Sequence, residues 1–317
     1  MAKVTLPDGS TLEIAAGSSV KQVAEKIGAG LAKAALAAKI DGRLVDLATP
    51  ITDSPQVQIV TPKDKEGLTI LRHSCAHVMA EAICRLWPQA KLVYGPTVED
   101  GFYYDIDLDE PIRPDDFPRI EAKMQEIVAA DRPIVRQEMS REQALEELKG
   151  DPYKTDNVQR AEGDVISFYS HGDGFRDLCR GPHVPSTGRV GSFKIMSVAG
   201  AYWHGDASQK MLQRVYGTAW PTKKELDEYL NRLEEAKRRD HRVLGRQLDL
   251  FSFSEMGPGF AFMHPKGMVL WNEIVDFMRQ LNRKYGYHEV RTPIILNEEL
   301  WHRSGHWDNY KENMYFT

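Results

Sequence analysis

Cysteine is scarce in this chain of 317 residues: only Cys75, Cys84 and Cys179 occur. An odd, sparse set argues against a disulfide framework and for a reducing compartment. Long apolar runs are missing too. No stretch reaches the roughly 18 residues that a membrane span needs. Met1 to Ser10 also lacks the charged-then-apolar pattern of a secretory signal. The expectation is a cytoplasmic protein with no membrane partner. An excess of one charge is absent as well: a net charge of -5 gives no global pull toward nucleic acid, so any such contact needs a local basic patch. Internal repeats and low-complexity segments are not found. What remains, 42% hydrophobic and 27% charged residues, is an ordinary globular composition, and the length suffices for two or three cores.

The first module, 1–62, reads as two short strands, Val4–Leu6 and Thr11–Ile14, around Pro7-Asp8-Gly9. A helix from about Ser19 follows, with Val20, Val23, Ala24 and Ile27 at helical spacing. Extended pieces near residues 38–40 and 56–60 complete a β-grasp pattern. A polar stretch ending in Gly67 separates it from a second domain, 63–221. There a helix over Thr69–Trp87 carries an apolar stripe of Leu71, Cys75, Val78, Ala82 and Leu86. Another helix covers about Asp116–Ala130, and a third starts at Ser140 in a capping box with Gln143 and ends near Gly150. Strand-like runs occupy 165–169, 175–179, 193–198 and 211–216. Helices and strands mix without strict alternation, which predicts an α+β domain with an antiparallel sheet. A linker helix, 222–246, opens on a second capping box, Thr222 with Glu225. Its end is basic, with Lys237, Arg238, Arg239, His241, Arg242 and Arg246. These cations suit a helix C-terminus as a solvated face, or they meet a phosphate backbone. Charge alone does not decide.

Two clusters can carry chemistry. His73 and His77, four apart on a helix, project from the same side, away from the apolar stripe. Asp177-Leu178-Cys179-Arg180-Gly181-Pro182-His183 puts Asp, Cys, Arg and His on a strand end and a Gly-Pro loop. Together, H-x-x-x-H and C-x-x-x-H supply four ligand-type side chains in one domain. Three uses stay open: a zinc site, closed or open; metal-free imidazoles that position and deprotonate a water; or Cys179 as a nucleophile with a histidine base.

The runs His73-Ser74-Cys75-Ala76-His77, Gly101-Phe102-Tyr103-Tyr104-Asp105, Asp177–His183, Gly200-Ala201-Tyr202-Trp203 and Tyr216-Gly217-Thr218-Ala219-Trp220 resemble the editing domain of bacterial threonyl-tRNA synthetases. The first module is similar to the TGS domain that precedes it in that family. Residues 247–317, with Gln247–Phe251, Gly257-Pro258-Gly259, His264-Pro265-Lys266-Gly267, Arg291-Thr292-Pro293 and Ser304–Tyr310, resemble the opening of a class II catalytic domain through its first motif. The resemblance runs along nearly the whole chain in the family's order. Motifs 2 and 3 do not appear, so the catalytic domain is expected to be truncated and unable to activate threonine.

The resemblance implies the following. Full-length members join threonine to tRNA(Thr) as homodimers, using ATP, Mg2+ and one Zn2+ whose ligands would lie beyond residue 317. The editing domain hydrolyses seryl-tRNA(Thr) at the acceptor end in a double sieve, because one methyl separates serine from threonine by only about 1–3 kcal/mol. His73 and His77 would hold or activate water, and His183 would complete the polar wall. Cys179 and Asp177 would shape the pocket, Asp177 being a candidate for the substrate ammonium. Lys154 would stabilise developing negative charge or act through the terminal ribose. Tyr104 would bound the pocket and contact substrate. Lys237, Arg238, Arg239 and Arg242 are candidate tRNA contacts. The resemblance implies no metal and no cofactor for editing, although the ligand set alone suggests zinc. Competing readings are a freestanding zinc-dependent hydrolase and a non-catalytic tRNA-binding fragment.

Overall fold

The computed structural model describes residues 2–314; Met1 and residues 315–317, at the outer ends of the first and last expected domains, lie outside the described residues. The chain forms two compact units, residues 1–232 and 233–317.

The first unit opens with the hairpin β1 (Ala2–Thr5) and β2 (Thr11–Ile14), followed by α1 (Val20–Ile27). Ser19 and Gln22 close a capping box at the start of α1 and bury Val20, Val23 and Ala24 against the hairpin. Two elements were not anticipated, the short helix α2 (Ala29–Ala34) and the strand β4 (Arg43–Asp46). β4 pairs with β3 (Ala37–Ile40), which pairs on its other edge with β5 (Val57–Val60). A parallel bridge from Thr5 to Gln56 joins the hairpin to this sheet, as a β-grasp requires.

Next comes α3 (Lys65–Leu86), longer than its apolar stripe predicts and buried on nearly every side. The expected one-faced helix is corrected here for a plain reason: α3 is the axle of the unit. It packs against α4 (Phe117–Ala129) and against three strands of the main antiparallel sheet. That sheet has the order β12–β13–β8–β6, from Ser192–Tyr202, Met211–Trp220, Gly101–Asp107 and Lys91–Tyr94, with β7 (Thr97–Val98) beside β8. Leu36, Ala37 and Val60 of the first module join the same core as Leu71, Cys75, Met79 and Ile83 of α3.

A second antiparallel sheet, β9 (Ile134–Ser140), β10 (Val165–His171) and β11 (Arg176–Leu178), has the order β11–β10–β9. The helix from Ser140, α5 (Arg141–Glu147), keeps its predicted capping box but stops short of Gly150. A further helix, α6 (Pro152–Arg160), stands where no element was expected. Pro152 starts it rather than breaking it, because proline at the first helical position loses no intrahelical bond. Asp151 caps it by accepting from the N–H groups of Tyr153 and Lys154, each at 3.0 Å. The mixed α/β content with antiparallel sheets agrees with the α+β expectation.

The amphipathic helix α7 (Lys223–Arg238) leads into the second unit, with Leu226 as its one buried residue. That unit holds α8 (His241–Gln247), the hairpin β14 (Phe251–Phe253) and β15 (Ala261–Met263), α9 (Pro265–Lys284), α10 (Glu299–Arg303) and α11 (His306–Tyr310). Among the described residues no helix is long and apolar enough to cross a membrane.

Candidate active site

A cleft of about 690 Å³ lies in the first unit, lined by residues of α3, β8, α6, β10 and β11, among them His73, His77, Tyr104, Lys154 and Cys179. Helical spacing sets His73 and His77 side by side, with ring centroids 5.3 Å apart and nearly perpendicular. The loop after β11 brings His183 up to both, with centroids at 4.4 Å from each. One donor atom from each of His73, His77, Cys179 and His183 lies within 4.8 Å of all the others. Residues more than a hundred positions apart thus meet in one cluster.

Hydrogen bonds determine how this cluster is protonated. The Ser74 hydroxyl donates to the Ile70 carbonyl at 2.8 Å and accepts from the Val184 N–H at 3.0 Å. A hydroxyl has a single proton, so Nδ1 of His183, 3.0 Å from the same oxygen, is the donor there. The lone pair of His183 Nε2 then faces Cys179 Sγ at 3.2 Å. His73 Nε2 approaches the same sulfur at 3.2 Å, and the Gly181 N–H donates to it at 3.3 Å. Burial pushes the Cys179 thiol up to about 12, so it keeps its proton at neutral pH. Burial likewise lowers His73 to about 4, against the smaller opposing pull of Asp177 and of a bond to the Pro182 carbonyl. His77 and His183 fall well below the usual imidazole range, through burial and then mutual repulsion with neighbouring histidines. The wall of the cleft therefore carries neutral imidazoles and a neutral thiol.

An ion pair and a tyrosine border this wall. Lys154, placed by the capped first turn of α6, lies 2.5 Å from Asp177 Oδ1. The Tyr104 hydroxyl donates to Asp177 Oδ2 and accepts from Lys154 Nζ at 3.3 Å. The Leu178 N–H occupies Asp177 Oδ1 as well, at 2.8 Å. Asp177 is buried behind Lys154 and Tyr104, and both of its oxygens are engaged within the protein. Burial and the neighbouring Asp177 hold the Tyr104 phenol well above its ordinary value, so it remains a donor.

All six residues expected to do chemistry, with Tyr104, thus fall in one neighbourhood. Lys237, Arg238, Arg239 and Arg242 belong to the second unit and are not part of it. Arg238 and Arg239 pair with Glu235, and Arg242 pairs with Asp240. Sequence reasoning missed Ser74, which orients His183, and Tyr169, whose ring packs against His183 at 4.4 Å. Ser74 sits inside the quoted His73–His77 run, so its place there was the available signal. It also missed the buried pair behind His77, where His171 Nδ1 meets Glu81 at 2.8 Å.

Comparison with known proteins gives this geometry a context. Residues 2–61 match the TGS domain, and residues 166–216 match the threonyl and alanyl tRNA synthetase second additional domain. The class so defined is that of synthetase accessory domains, a TGS domain followed by the domain that bears the cleft. Along its length the chain is similar to the threonine–tRNA ligases of Desulforamulus reducens, 55% identical over 320 residues, and Pelobacter propionicus, 54% over 317, covering 100% and 99% of the chain and 50% of each relative. That of Clostridium tetani is 52% identical over 320 residues, covering 100% of the chain and 50% of the relative. The similarity to threonine–tRNA ligases covers the whole chain, which spans about half the length of the curated relatives it matches.

Proposed function

We propose that the cleft hydrolyses the ester of a mischarged seryl-tRNA(Thr), as the editing part of a threonine–tRNA ligase. One observation carries the proposal: three imidazoles and a thiol converge within 4.8 Å on a cleft bordered by a lysine and a tyrosine. His73 and His77 bind water through their lone pairs. As the water oxygen attacks the ester carbonyl, one of these imidazoles takes its proton. Lys154, held by Asp177 and Tyr104, keeps one N–H to face the negative charge that develops on the carbonyl oxygen, while Tyr104, whose single proton goes to Asp177, bounds the pocket. The bond to the terminal ribose oxygen then breaks, and that oxygen takes up the proton. Cys179 narrows the pocket so that a methyl in place of hydrogen is excluded. His183 supports Cys179 from behind. No covalent intermediate is needed, and a thiol held near 12 is a poor nucleophile at neutral pH.

The same reading assigns 1–62 to the TGS domain, 63–221 to the editing domain, 222–246 to a linker and 247–317 to the start of a class II catalytic domain. The linker expected as one helix is two, α7 and α8, because Asp240 caps a new helix after Arg238. The whole protein would be a cytoplasmic homodimer that attaches threonine to tRNA(Thr) with ATP, Mg2+ and a Zn2+ bound outside this chain. Lys237, Arg238, Arg239 and Arg242 would contact tRNA. A zinc-dependent version of the hydrolysis has one observation in its favour: three nitrogens and a sulfur within 4.8 Å match the donors and span of a tetrahedral zinc site. We favour metal-free chemistry because the resemblance to the editing domain implies it.

The test is deacylation of seryl- and threonyl-tRNA(Thr) by the chain, with and without a chelator. Expected are turnover of the seryl ester alone, no effect of chelator, and a loss of about 10²-fold or more in His77→Ala. No seryl turnover by the unaltered chain sinks the proposal. Loss of turnover with chelator, together with one zinc per chain, establishes the zinc version instead.

A further inference from the structure

One carboxylate reaches the cluster from outside its domain. Asp46 ends β4 of the first module, 137 positions before His183. Its Oδ1 accepts the backbone N–H of His183 at 2.9 Å, and its Oδ2 accepts the hydroxyl of Tyr169 at 2.7 Å. Tyr169 has no exposed surface, and its ring lies against the His183 imidazole. Its hydroxyl also accepts from Arg136 Nη1 at 3.1 Å, and that guanidinium donates at 3.0 Å to the Arg180 carbonyl in the loop that carries His183. The loop has no slack here, because a Cβ on Gly181 would stand 1.8 Å from the Tyr169 oxygen.

Two bonds from a single carboxylate therefore define both the backbone position of His183 and the aromatic surface that sets its ring plane. His183 in turn faces the Cys179 sulfur, and Cys179 lines the cleft. We propose that Asp46 is a positioning residue for the hydrolytic cleft, so that the cleft attains its working geometry only while the first module is docked through this carboxylate. The proposal rests on the hydrolytic reading above. It gives the first module a duty in the reaction besides any contact with tRNA. A displacement of about 1 Å at a reacting centre costs on the order of 10²-fold in rate, so two bonds of ordinary strength suffice for a large effect.

The experiment compares Asp46→Ala, Asp46→Asn and Tyr169→Phe with the unaltered chain, at a temperature where circular dichroism shows each folded. Seryl-tRNA deacylation is read as kcat and KM separately. Alkylation of Cys179 by iodoacetamide, followed by peptide mass, supplies a readout that does not depend on the reaction. Expected for Asp46→Ala are a fall in kcat of about tenfold or more, KM within about twofold, and faster alkylation of Cys179. Asp46→Asn, which keeps an acceptor for the His183 N–H, should recover part of kcat, and Tyr169→Phe should show the smaller loss of one bond. Active wild-type chain with kcat within about twofold of it in Asp46→Ala overturns the positioning role alone. If the wild-type chain has no deacylase activity, the hydrolytic reading falls. Alkylation then decides separately: an unchanged rate in Asp46→Ala removes the hold on the loop as well. Should Asp46→Ala fail to fold, Asp46→Asn and Tyr169→Phe carry the same comparison.

Discussion

A buried histidine with a lone pair free is a base whose strength its surroundings have reduced. His73 is lowered to about 4, chiefly by burial, while an unfolded chain would titrate it near 6.5. Between those values the unfolded chain takes up a proton that the folded one refuses. Stability is therefore greatest above about 6.5, and it is lost progressively as pH falls toward 4. His77 and His183 are shifted the same way and add to the loss. The sign is opposite to that of a histidine held by an ion pair. The same shifts govern activity: imidazoles already neutral at pH 6 gain nothing from further deprotonation. Deacylation, corrected for the uncatalysed ester, should stay level from pH 8 to about 5 and then fall with an apparent midpoint near 4. A pH–rate profile breaking near 6.5 would show that the imidazoles titrate as if solvated, and would contradict this environment. A parallel urea series at pH 5 and pH 7 should find the protein less stable at pH 5.

Elements bring these residues together, and the tightest junction is the loop between β11 and the 180–184 segment. Gly181 adopts a φ of +68°, and a Cβ there would collide with the Tyr169 hydroxyl. Gly181→Ala should cost about 2–4 kcal/mol, from the left-handed backbone together with the steric clash. Gly163 makes an internal control: its φ is +80° but nothing lies within 4 Å of its Cβ position. Gly163→Ala should cost only about 1–2 kcal/mol, and equal losses in urea denaturation of the two variants would count against the collision. Several elements were legible beforehand. The capping boxes at Ser140 and Thr222 are short-range signals written within four residues, and both appear where expected. His73 and His77 were legible as a pair because i and i+4 share a helix side at any sequence length. Their meeting with Cys179 was not, since nothing local to either segment encodes a contact 106 positions apart. The helix α6 was lost because Pro152 reads as a breaker unless the Asp151 cap before it is weighed. Lys154 therefore rested on resemblance alone. Asp46 carried no local signal at all, lying in another module at the end of a strand that was itself missed.

At the scale of the whole molecule the two units differ in how much apolar surface they hide. In the first, α3 is wrapped by a helix and a sheet, and Cys75, Val78, Met79 and Ile83 have no exposed surface. In the second, α9 buries only Gly267, while Trp271, Ile274 and Phe277 are each more than half exposed. Farther on, Ile294 and Ile295 are exposed by 98% and 79%. An α-helix of 20 residues in water is marginal without an apolar face to bury, and each aromatic left in solvent forgoes about 2 kcal/mol of burial. The units should accordingly open at different free energies. Native-state hydrogen exchange on the chain should find the amides of Lys65–Leu86 protected close to the global limit. Amides across Pro265–Lys284 should exchange at least about 10²-fold faster, equivalent to a gap of some 3 kcal/mol or more in opening free energy. The gap should persist in Asp46→Asn, whose altered contact lies wholly within the first unit. Equal protection of the two helices would mean that the second unit shares the cooperativity of the first, and that its exposed aromatics are not a measure of its stability.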